Sequence, residues 1–575
     1  VKLGSLLLAN EAIALGAFES GVKVISSYPG TPSTEITENA AKYDSIYTEW
    51  APNEKVALEV AIGACFSGVR SMCCMKHVGL NVAADPLFTL SYTGVNAGLV
   101  VVVADDPGMH SSQNEQDSRY YALSSHIPML EPSDSSEARD FVKIAYEISE
   151  KYDTPVIIRL TTRIAHSRSF VEPKERDEIL NKTYKKDVSK FVMMPAMARL
   201  RHLFVEKREN DLSRDISLFN INSTLMRSHK LGIVCSGAVY QYVVEASDAS
   251  VFKLGMIYPI DFESVKTFAS QVEELIVVEE LEPFIEKELL SNGIKCHGKE
   301  LFGRQGEFCV SYIRRKLEGI IEEEKSGNKI LPRPPVMCAG CPHRSVFYAI
   351  KKLKLKVSGD IGCYALGALE PLSAVDLCVC MGASIGMAHG FDKGNTGEAE
   401  NMVAVIGDST FLHSGINSLI NSIYNNGTST IVILDNSITA MTGHQDNPST
   451  GKTIKGDLGH KIDLYSLCLA CGAGSVRIVD SYNIQEVISA LKEEVSKKCV
   501  SVIIARRPCA LLNKKYPPAF YIGENKCKYC KQCLAIGCPA IENLGNSVRI
   551  NRELCVGCGV CTQMCKFGAI ISEDR

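Results

Sequence analysis

Short apolar runs separated by helix-length segments recur along most of the chain. In residues 1–170 they are VKVISSYPGTP, VRSMCCMKH and GLVVVVADDPG, with a helical pattern at Glu54–Phe66. Runs this continuously apolar read as parallel strands buried on both faces, which predicts a parallel α/β domain. Val1–Ala14 carries neither a basic leader nor a cleavage site and reads as the first helix of that domain. Residues 171–230, with KERDEILNKTYKKD and EKRENDLSRD, are charged and poor in strand signal, so a solvated helical connector is expected. Alternation resumes in 231–325 with LGIVCSGAVY, a strand near Lys253–Ile257 and EELIVVEELE: a smaller α/β domain in which no site stands out. The Pro-rich LPRPP at 331–335 marks the next boundary. Beyond it, Met402–Ile406 and Thr430–Leu434 bracket a helix-length segment and predict a βαβ unit.

At 575 residues the chain is too long for one core, and about three to five domains are expected. A net charge of −4 gives no electrostatic case for nucleic acid. No run approaches the ~18 apolar residues of a membrane span, so a cytoplasmic protein is expected. The 23 cysteines change the picture, because eight of them fall in the last 49 residues. Clusters of this kind in a long chain point to metal or redox chemistry rather than a disulfide framework.

Candidate chemistry collects at strand ends, where α/β sheets bind ligands. Tyr28–Ser33 is a tight turn whose Gly30 admits close backbone approach, with hydroxyls at Thr31 and Ser33. Lys76-His77 follows one strand and Asp105-Asp106-Pro107-Gly108 another. Each alone is an ordinary loop; three at one sheet end predict a site. Asp408 and Asn436, at the ends of the two strands of the βαβ unit, are hard oxygen donors suited to Mg2+ bridging phosphate oxygens. In isolation, a plain strand end and a turn Asn explain them as well. Gly382, Gly386 and Gly390 permit a helix N-terminus to approach a phosphate, and close helix packing explains them equally. In the tail, Cys527, Cys530, Cys533 and Cys538 form one spaced set and Cys555, Cys558, Cys561 and Cys565 a second. Four-cysteine zinc sites are the alternative to iron–sulfur clusters.

The spacing from Gly407-Asp408-Ser409 to Asn436 resembles the thiamine diphosphate (ThDP) motif, in which a Gly-Asp-Gly precedes an Asn by about thirty residues. The resemblance implies that Asp408, Asn436 and the carbonyl of Ile438 hold Mg2+, with Ser409 standing where the motif has glycine. It makes Gly382, Gly386, Gly407, Ser409 and His343 the cofactor contacts. Glu54 becomes the carboxylate that activates the aminopyrimidine, with Glu59 and Glu49 as lesser candidates. The doubled cysteine sets resemble a two-cluster ferredoxin, in which the remote fourth cysteine serves the other cluster. That assigns Cys527, Cys530, Cys533 and Cys565 to one [4Fe–4S] cluster and Cys555, Cys558, Cys561 and Cys538 to the other.

Both features in one chain resemble the 2-oxoacid:ferredoxin oxidoreductases. YPGTPSTE, NEKVALEVAIGA, MKHVGLNVAADP, ADDPGMHSSQNEQDSRYYA, CAGCPHR and LDNSITAMTGHQDNP are similar to the large, alpha-type subunits of the indolepyruvate branch. The fold implied is α/β and multidomain. It has a pyrimidine-type ThDP domain (1–170), the connector (171–230), a transketolase-C-like domain (231–325), a diphosphate-type ThDP domain (331–512) and an α+β two-[4Fe–4S] ferredoxin domain (517–575), both ThDP domains being doubly wound. The reaction implied converts an aryl pyruvate, coenzyme A and oxidised ferredoxin to aryl-acetyl-CoA, CO2 and reduced ferredoxin, as in aromatic amino-acid catabolism. The cofactor then acts as electron sink. The resemblance also implies a small beta (gamma-type) subunit in an (alpha-beta)2 heterotetramer. It gives Thr31 a substrate or cofactor contact, and Lys76, His77 and Arg119 the substrate carboxylate. Cys338, Cys341, Cys363 and Cys509 match cysteines that hold a third [4Fe–4S] cluster in beta-type relatives; isolated thiols are the alternative. Three other functions stay open: a pyruvate or other 2-oxoacid enzyme, an electron-transfer subunit with a degenerate ThDP fold, and a non-oxidative decarboxylase or carboligase.

Overall fold

The computed structural model describes residues 4–320, 335–394, 401–513 and 515–572. The chain forms two compact units, Val1–Gly327 and Asn328–Arg575. All but the last residue of LPRPP lies outside the described residues.

In the first unit the strands are Ser5–Leu8 (β1), Val24–Ser27 (β2), Tyr47–Trp50 (β3), Ser71–Lys76 (β4), Leu99–Asp105 (β5), Met129–Leu130 (β6), Val156–Thr161 (β7) and Arg168–Val171 (β8). They continue with Ser223–Leu225 (β9), Leu231–Ser236 (β10), Ser250–Leu254 (β11), Met256–Tyr258 (β12) and Glu274–Val278 (β13). The main sheet has the order β12-β6-β7-β5-β4-β2-β3. It is parallel except for β12, which joins antiparallel to β6. Its central strand β5 is buried throughout: Leu99, Val101 and Val103 face one core while Val100, Val102 and Ala104 face the other. Two-sided burial of this kind is what a doubly wound sheet requires. The chain enters as a strand rather than a helix: β1 pairs with β8, and the first helix begins at Ala9. The leucines Leu6–Leu8 fit either periodicity, and pairing with β8 decides for the strand.

The smaller sheet, β13-β10-β11-β9, shares a core with the first domain, with Phe252, Leu254 and Val277 packed in one cluster with Leu80 and Leu87. Residues 171–230 are more than a solvated connector. Their helix Pro195–Asp215 buries Val205, Arg208 and Leu212, and β9 is the edge of the second sheet. Arg208 counts as charge in the sequence, yet its guanidinium serves buried carbonyls, donating to Ser91 O at 2.6 Å and His126 O at 3.2 Å.

A buried charge network fastens the two domains of this unit. Arg119 is almost fully buried and pairs with both Asp117 and Glu279, while also donating to the carbonyls of Glu280 and Glu282. Beside it Arg159 bridges Asp105 and Glu131. Arg119 is therefore a structural bolt, each of its three side-chain nitrogens donating to a protein group, where the resemblance implied a contact to a substrate carboxylate.

The second unit contains Lys356–Ser358 (β14), Met402–Gly407 (β15), Thr430–Asp435 (β16), Ser475–Asp480 (β17) and Ser501–Arg506 (β18) in an all-parallel sheet of order β14-β15-β16-β18-β17. Val403 and Val405 point into one core, Ala404 and Ile406 into the other. Two antiparallel pairs follow, Phe520–Ile522 (β19) with Ile570–Ser572 (β22), and Ile541–Asn543 (β20) with Val548–Ile550 (β21). This cysteine-rich module shares its core with the sheet: Ile536, Ile541, Ile550 and Met564 cluster with Phe347 and Tyr364. No helix among the described residues is long and apolar enough to cross a membrane.

Replacing Arg119 by Met leaves Asp117 and Glu279 buried with backbone N–H partners but without this cation. The expected cost is about 3–5 kcal/mol in urea unfolding; a change below about 1 kcal/mol contradicts the bolt.

Candidate cofactor and cluster sites

In the second unit, β15 and β16 lie side by side with Gly407 opposite Leu434, so Asp408 and Asn436 emerge together at the sheet's carboxyl end. Asp408 is buried. Its Oδ1 accepts the Ser409 N–H at 2.8 Å, while Oδ2 has no hydrogen-bond partner. Burial, aided by the neighbouring Asp435, pushes its carboxyl up to about 7. Asp435 itself is paired, accepting from Arg506 Nε at 2.7 Å. The unpartnered oxygen of a buried carboxylate fits a hard cation, and Asn436 supplies a second oxygen beside it. Ser437 takes φ 58°, and the turn it makes brings the Ile438 N–H to Asn436 Oδ1 at 3.3 Å. Ser409 accepts from Thr439 Oγ1 at 2.9 Å, which puts two hydroxyls at the rim.

Four of the expected cofactor contacts have neighbours within the protein. A Cβ on Gly407 would lie 2.6 Å from the Tyr364 ring, so this glycine makes room for Tyr364. The Gly382 N–H donates to Asp360 Oδ1 at 2.7 Å and the Ser384 N–H to its Oδ2 at 2.9 Å. A protein carboxylate thus occupies those donors at the start of helix Ala383–Gly394, where a phosphate was expected. Gly386 lies within that helix, facing Ser418. His343 is buried at the start of helix His343–Leu353, edge-on to Tyr364 with ring centroids 6.0 Å apart, and burial lowers its pKa to about 4. Asp360 was missed, although its signal was visible: Gly359-Asp360 follows a strand just as Gly407-Asp408 does.

The cysteines fall into groups of neighbouring thiols. Burial raises the Cys533 thiol, and the charges of Cys530, Cys527 and Cys565 add to the effect. Cys561 responds likewise to Cys558, Cys538 and Cys555, so Cys565 lies near the first set and Cys538 near the second. Burial raises Cys363 to about 11, with Cys509 and Cys338 contributing, and Cys341 to about 12, with Cys363 and Cys338 contributing. Cys338, Cys341, Cys363 and Cys509 therefore lie near one another, a third nest of thiols by proximity alone. It touches the cation site directly, because the Cys509 N–H donates to the Asn436 carbonyl at 2.9 Å. Among the described residues no three His, Cys, Asp or Glu side chains converge as ligands of a single ion.

A small cavity lined by Cys341, Cys538, Cys555, Cys558, Cys561 and Arg344 joins the third nest to the second tail set. Gly340 makes the approach possible, since a Cβ there would meet Val556 at 2.3 Å. Arg344 is buried between them without a carboxylate. It donates to the carbonyls of Cys338 (3.0 Å) and Met337 on one side and of Ile536 (3.4 Å) and Gly537 on the other.

In the first unit the site lies at the carboxyl ends of β2, β4 and β5. Lys76 Nζ donates to Ser111 O at 2.5 Å, and burial, partly offset by Asp106, lowers its pKa to about 8. Ser111 also donates to the Thr31 carbonyl at 3.3 Å, so Thr31 and Lys76 are brought together. Asp106 accepts from Ser111 N, Ser112 Oγ and Thr162 Oγ1. His77 is buried next to Lys76, and burial holds its pKa below the usual value. Glu54 is buried at the first turn of helix Glu54–Ser67. Gly79 leaves room for its carboxylate, since a Cβ there would meet Glu54 Oε1 at 2.5 Å. Glu49 is taken by Ser26 and Tyr47, and Glu59 pairs with Lys55 at the surface.

The family described as "Pyruvate flavodoxin/ferredoxin oxidoreductase, thiamine diP-bdg" matches residues 15–213. "Thiamine pyrophosphate enzyme, C-terminal TPP binding domain" matches 360–505, and "4Fe-4S binding domain" matches 548–571, which includes Cys555, Cys558, Cys561 and Cys565. Fold and site thus define a ThDP-dependent 2-oxoacid:ferredoxin oxidoreductase chain with iron–sulfur clusters. Proteins called indolepyruvate oxidoreductase subunit IorA from Pyrococcus abyssi, Pyrococcus horikoshii and Archaeoglobus fulgidus are 42%, 41% and 38% identical to it. The alignments cover 98% of this chain in each case and 96%, 96% and 97% of those proteins. The chain belongs to this IorA family.

A carboxyl whose pKa is raised on folding keeps its proton longer in the folded chain than in the unfolded one. Metal-free stability contributed by Asp408 therefore falls as pH climbs from about 4 toward 7. Asp408→Asn is expected to raise the melting temperature in EDTA at pH 8, by the equivalent of roughly 2 kcal/mol, while abolishing Mg2+-dependent ThDP binding by calorimetry. Unchanged ThDP binding contradicts the assignment.

Proposed function

We propose that the chain is the large, alpha-type subunit of an enzyme acting on aryl pyruvates such as indolepyruvate and phenylpyruvate. One oxoacid, one coenzyme A and two oxidised ferredoxins give aryl-acetyl-CoA, CO2, a proton and two reduced ferredoxins. The name carried by the relatives supports this substrate class. The observation that carries the reading is the unpartnered Asp408 oxygen beside Asn436, with the Asn436 carbonyl bonded to Cys509 of a cysteine nest. A site for a metal-held cofactor and a site for an electron acceptor are then neighbours.

In this reading Asp408, Asn436 and the Ile438 carbonyl hold Mg2+, and the hydroxyls of Ser409 and Thr439 serve the diphosphate. ThDP, when bound, supplies the electron sink that decarboxylation of a 2-oxoacid needs. Glu54 is the carboxylate for the aminopyrimidine. Lys76 and Thr31 bind the substrate carboxylate, with neutral His77 at their side. The nest of Cys338, Cys341, Cys363 and Cys509 holds the first [4Fe–4S] cluster. Cys555, Cys558, Cys561 and Cys538 hold the second, and Cys527, Cys530, Cys533 and Cys565 the third. The "subunit" in the relatives' name supports a multisubunit enzyme; the small beta (gamma-type) partner and the (alpha-beta)2 heterotetramer follow the family resemblance.

The test is anaerobic turnover of indolepyruvate with coenzyme A and a viologen acceptor, using the chain with its small subunit. Reduction that requires coenzyme A and ThDP and is lost in Asp408→Ala is expected. Reaction with pyruvate alone overturns the aryl preference. Inert oxoacids with intact clusters overturn the catalytic role.

Lys76 titrates near 8, so its cation is lost as pH rises through that value. KM for the oxoacid is expected to climb above pH of about 8, and Lys76→Met to show a raised KM that is flat over the same range. A wild-type KM constant across that window contradicts a carboxylate-binding Lys76.

A further inference from the structure

The cysteine sets of the tail differ in their access to solvent. Cys538, Cys555, Cys558 and Cys561 all line the inner cavity shared with Cys341, and none of the other four does. In that outer set Cys530 is exposed. Lysines are interleaved with it: Lys526 and Lys528 flank Cys527, Lys531 follows Cys530 and Lys566 follows Cys565. All four are exposed, and none makes an ion pair among the described residues. Four unpaired cations thus lie next in sequence to three of the four thiols, in a chain whose net charge is −4.

The backbone holds this arrangement. Tyr529 and Lys531 take left-handed φ values of 48° and 60°. The Tyr529 hydroxyl donates to Asn543 Oδ1 at 2.7 Å, which ties the loop to the β20–β21 hairpin. Lys531 Nζ lies 4.8 Å from the Tyr529 ring centroid, a cation–π contact that keeps its charge beside Cys530. Exposed lysines thus adjoin the one exposed thiol of the tail sets, Cys530, and two of its companions, where a second protein must come close for an electron to cross.

We propose that Lys526, Lys528, Lys531 and Lys566 form the docking face for an acidic one-electron carrier protein, which is reduced by the cluster of Cys527, Cys530, Cys533 and Cys565. This rests on the cluster assignment given under Proposed function and adds the place, sign and residues of the encounter. One electron leaves the chain's reduced cluster and enters the carrier's oxidised centre; no bond or proton is exchanged. Opposite charge steers such encounters and raises their rate by about 10–1,000-fold at low salt. Lysines that only offset the negative charge of their own cluster shift its potential and treat all carriers alike.

The test uses the full chain with its small subunit, its clusters reduced by dithionite without oxoacid, so that substrate identity does not enter. Stopped-flow mixing follows electron transfer to a strongly acidic two-[4Fe–4S] ferredoxin and, separately, to cytochrome c, a cationic haem protein. K526E/K528E/K531E/K566E is expected to slow the ferredoxin reaction at least about tenfold at low ionic strength and to speed the cytochrome c reaction. The ferredoxin loss shrinks in about 0.5 M salt, where screening removes the steering. An unchanged ferredoxin rate, or equal slowing of both carriers, overturns the docking face. If the reversed chain loses iron, the four Lys→Gln changes and the wild-type salt dependence decide: a ferredoxin rate that is flat with ionic strength overturns the proposal, and one that falls supports it. A wild-type chain with no dithionite-reducible cluster signal overturns the cluster assignment itself, whereas a normal signal with charge-independent rates overturns only the docking face.

Discussion

Asp408 is a carboxylate that the fold has buried beside a second one, with one oxygen unpartnered. Such an arrangement is unfavourable in an empty protein and becomes favourable once a cation sits on the free oxygen. Everything near it is arranged to keep it there. Parallel strands β15 and β16 bring Asp408 and Asn436 to one edge, Gly407 lets Tyr364 close over the strand end, and Asp435 is held away by Arg506. The same turn that presents Asn436 also fixes Cys509, so Asp408 and Asn436 cannot shift without moving the third cysteine nest.

That coupling explains why the cysteine-rich tail is not a separate bead on the chain. Its short strands bury too little apolar surface to stand alone, and they complete a core begun by Phe347, Tyr364 and Val405. Gly340 and Arg344 then set the distance between the third nest and the inner tail set. Gly340 removes the side chain that would hold them apart, and Arg344 spends its donors on carbonyls from both. The first unit uses a different device, a buried Arg119 bridging Asp117 and Glu279, to lock a second α/β domain onto the first.

The parallel α/β architecture was legible because runs such as residues 99–103, rich in β-branched side chains, are apolar on both faces and alternate with helix-length segments. The two cysteine sets were legible because the CxxCxxC spacing within each is local; the pairing of each set with a remote fourth cysteine came only from the ferredoxin resemblance. Arg119 misled because an arginine among polar residues at the start of a helix looks the same in sequence whether its partners are a ligand or Asp117 and Glu279. Glu279 is 160 residues away, so only tertiary structure reveals it. Gly382 misled for the same reason: a free helix start and one occupied by Asp360 differ only in a contact 22 residues distant. The charged stretch 171–230 hid one buried arginine among many solvated ones, and charge counting does not separate them.

The central claim is that the nest of Cys338, Cys341, Cys363 and Cys509 beside Asn436 holds a cluster of its own, which links the cofactor site to the tail. Iron and acid-labile sulfide per chain, measured after anaerobic reconstitution for the wild type and for Cys509→Ser, test it most directly. About twelve irons falling toward eight in the variant is the predicted result; about eight in both contradicts it.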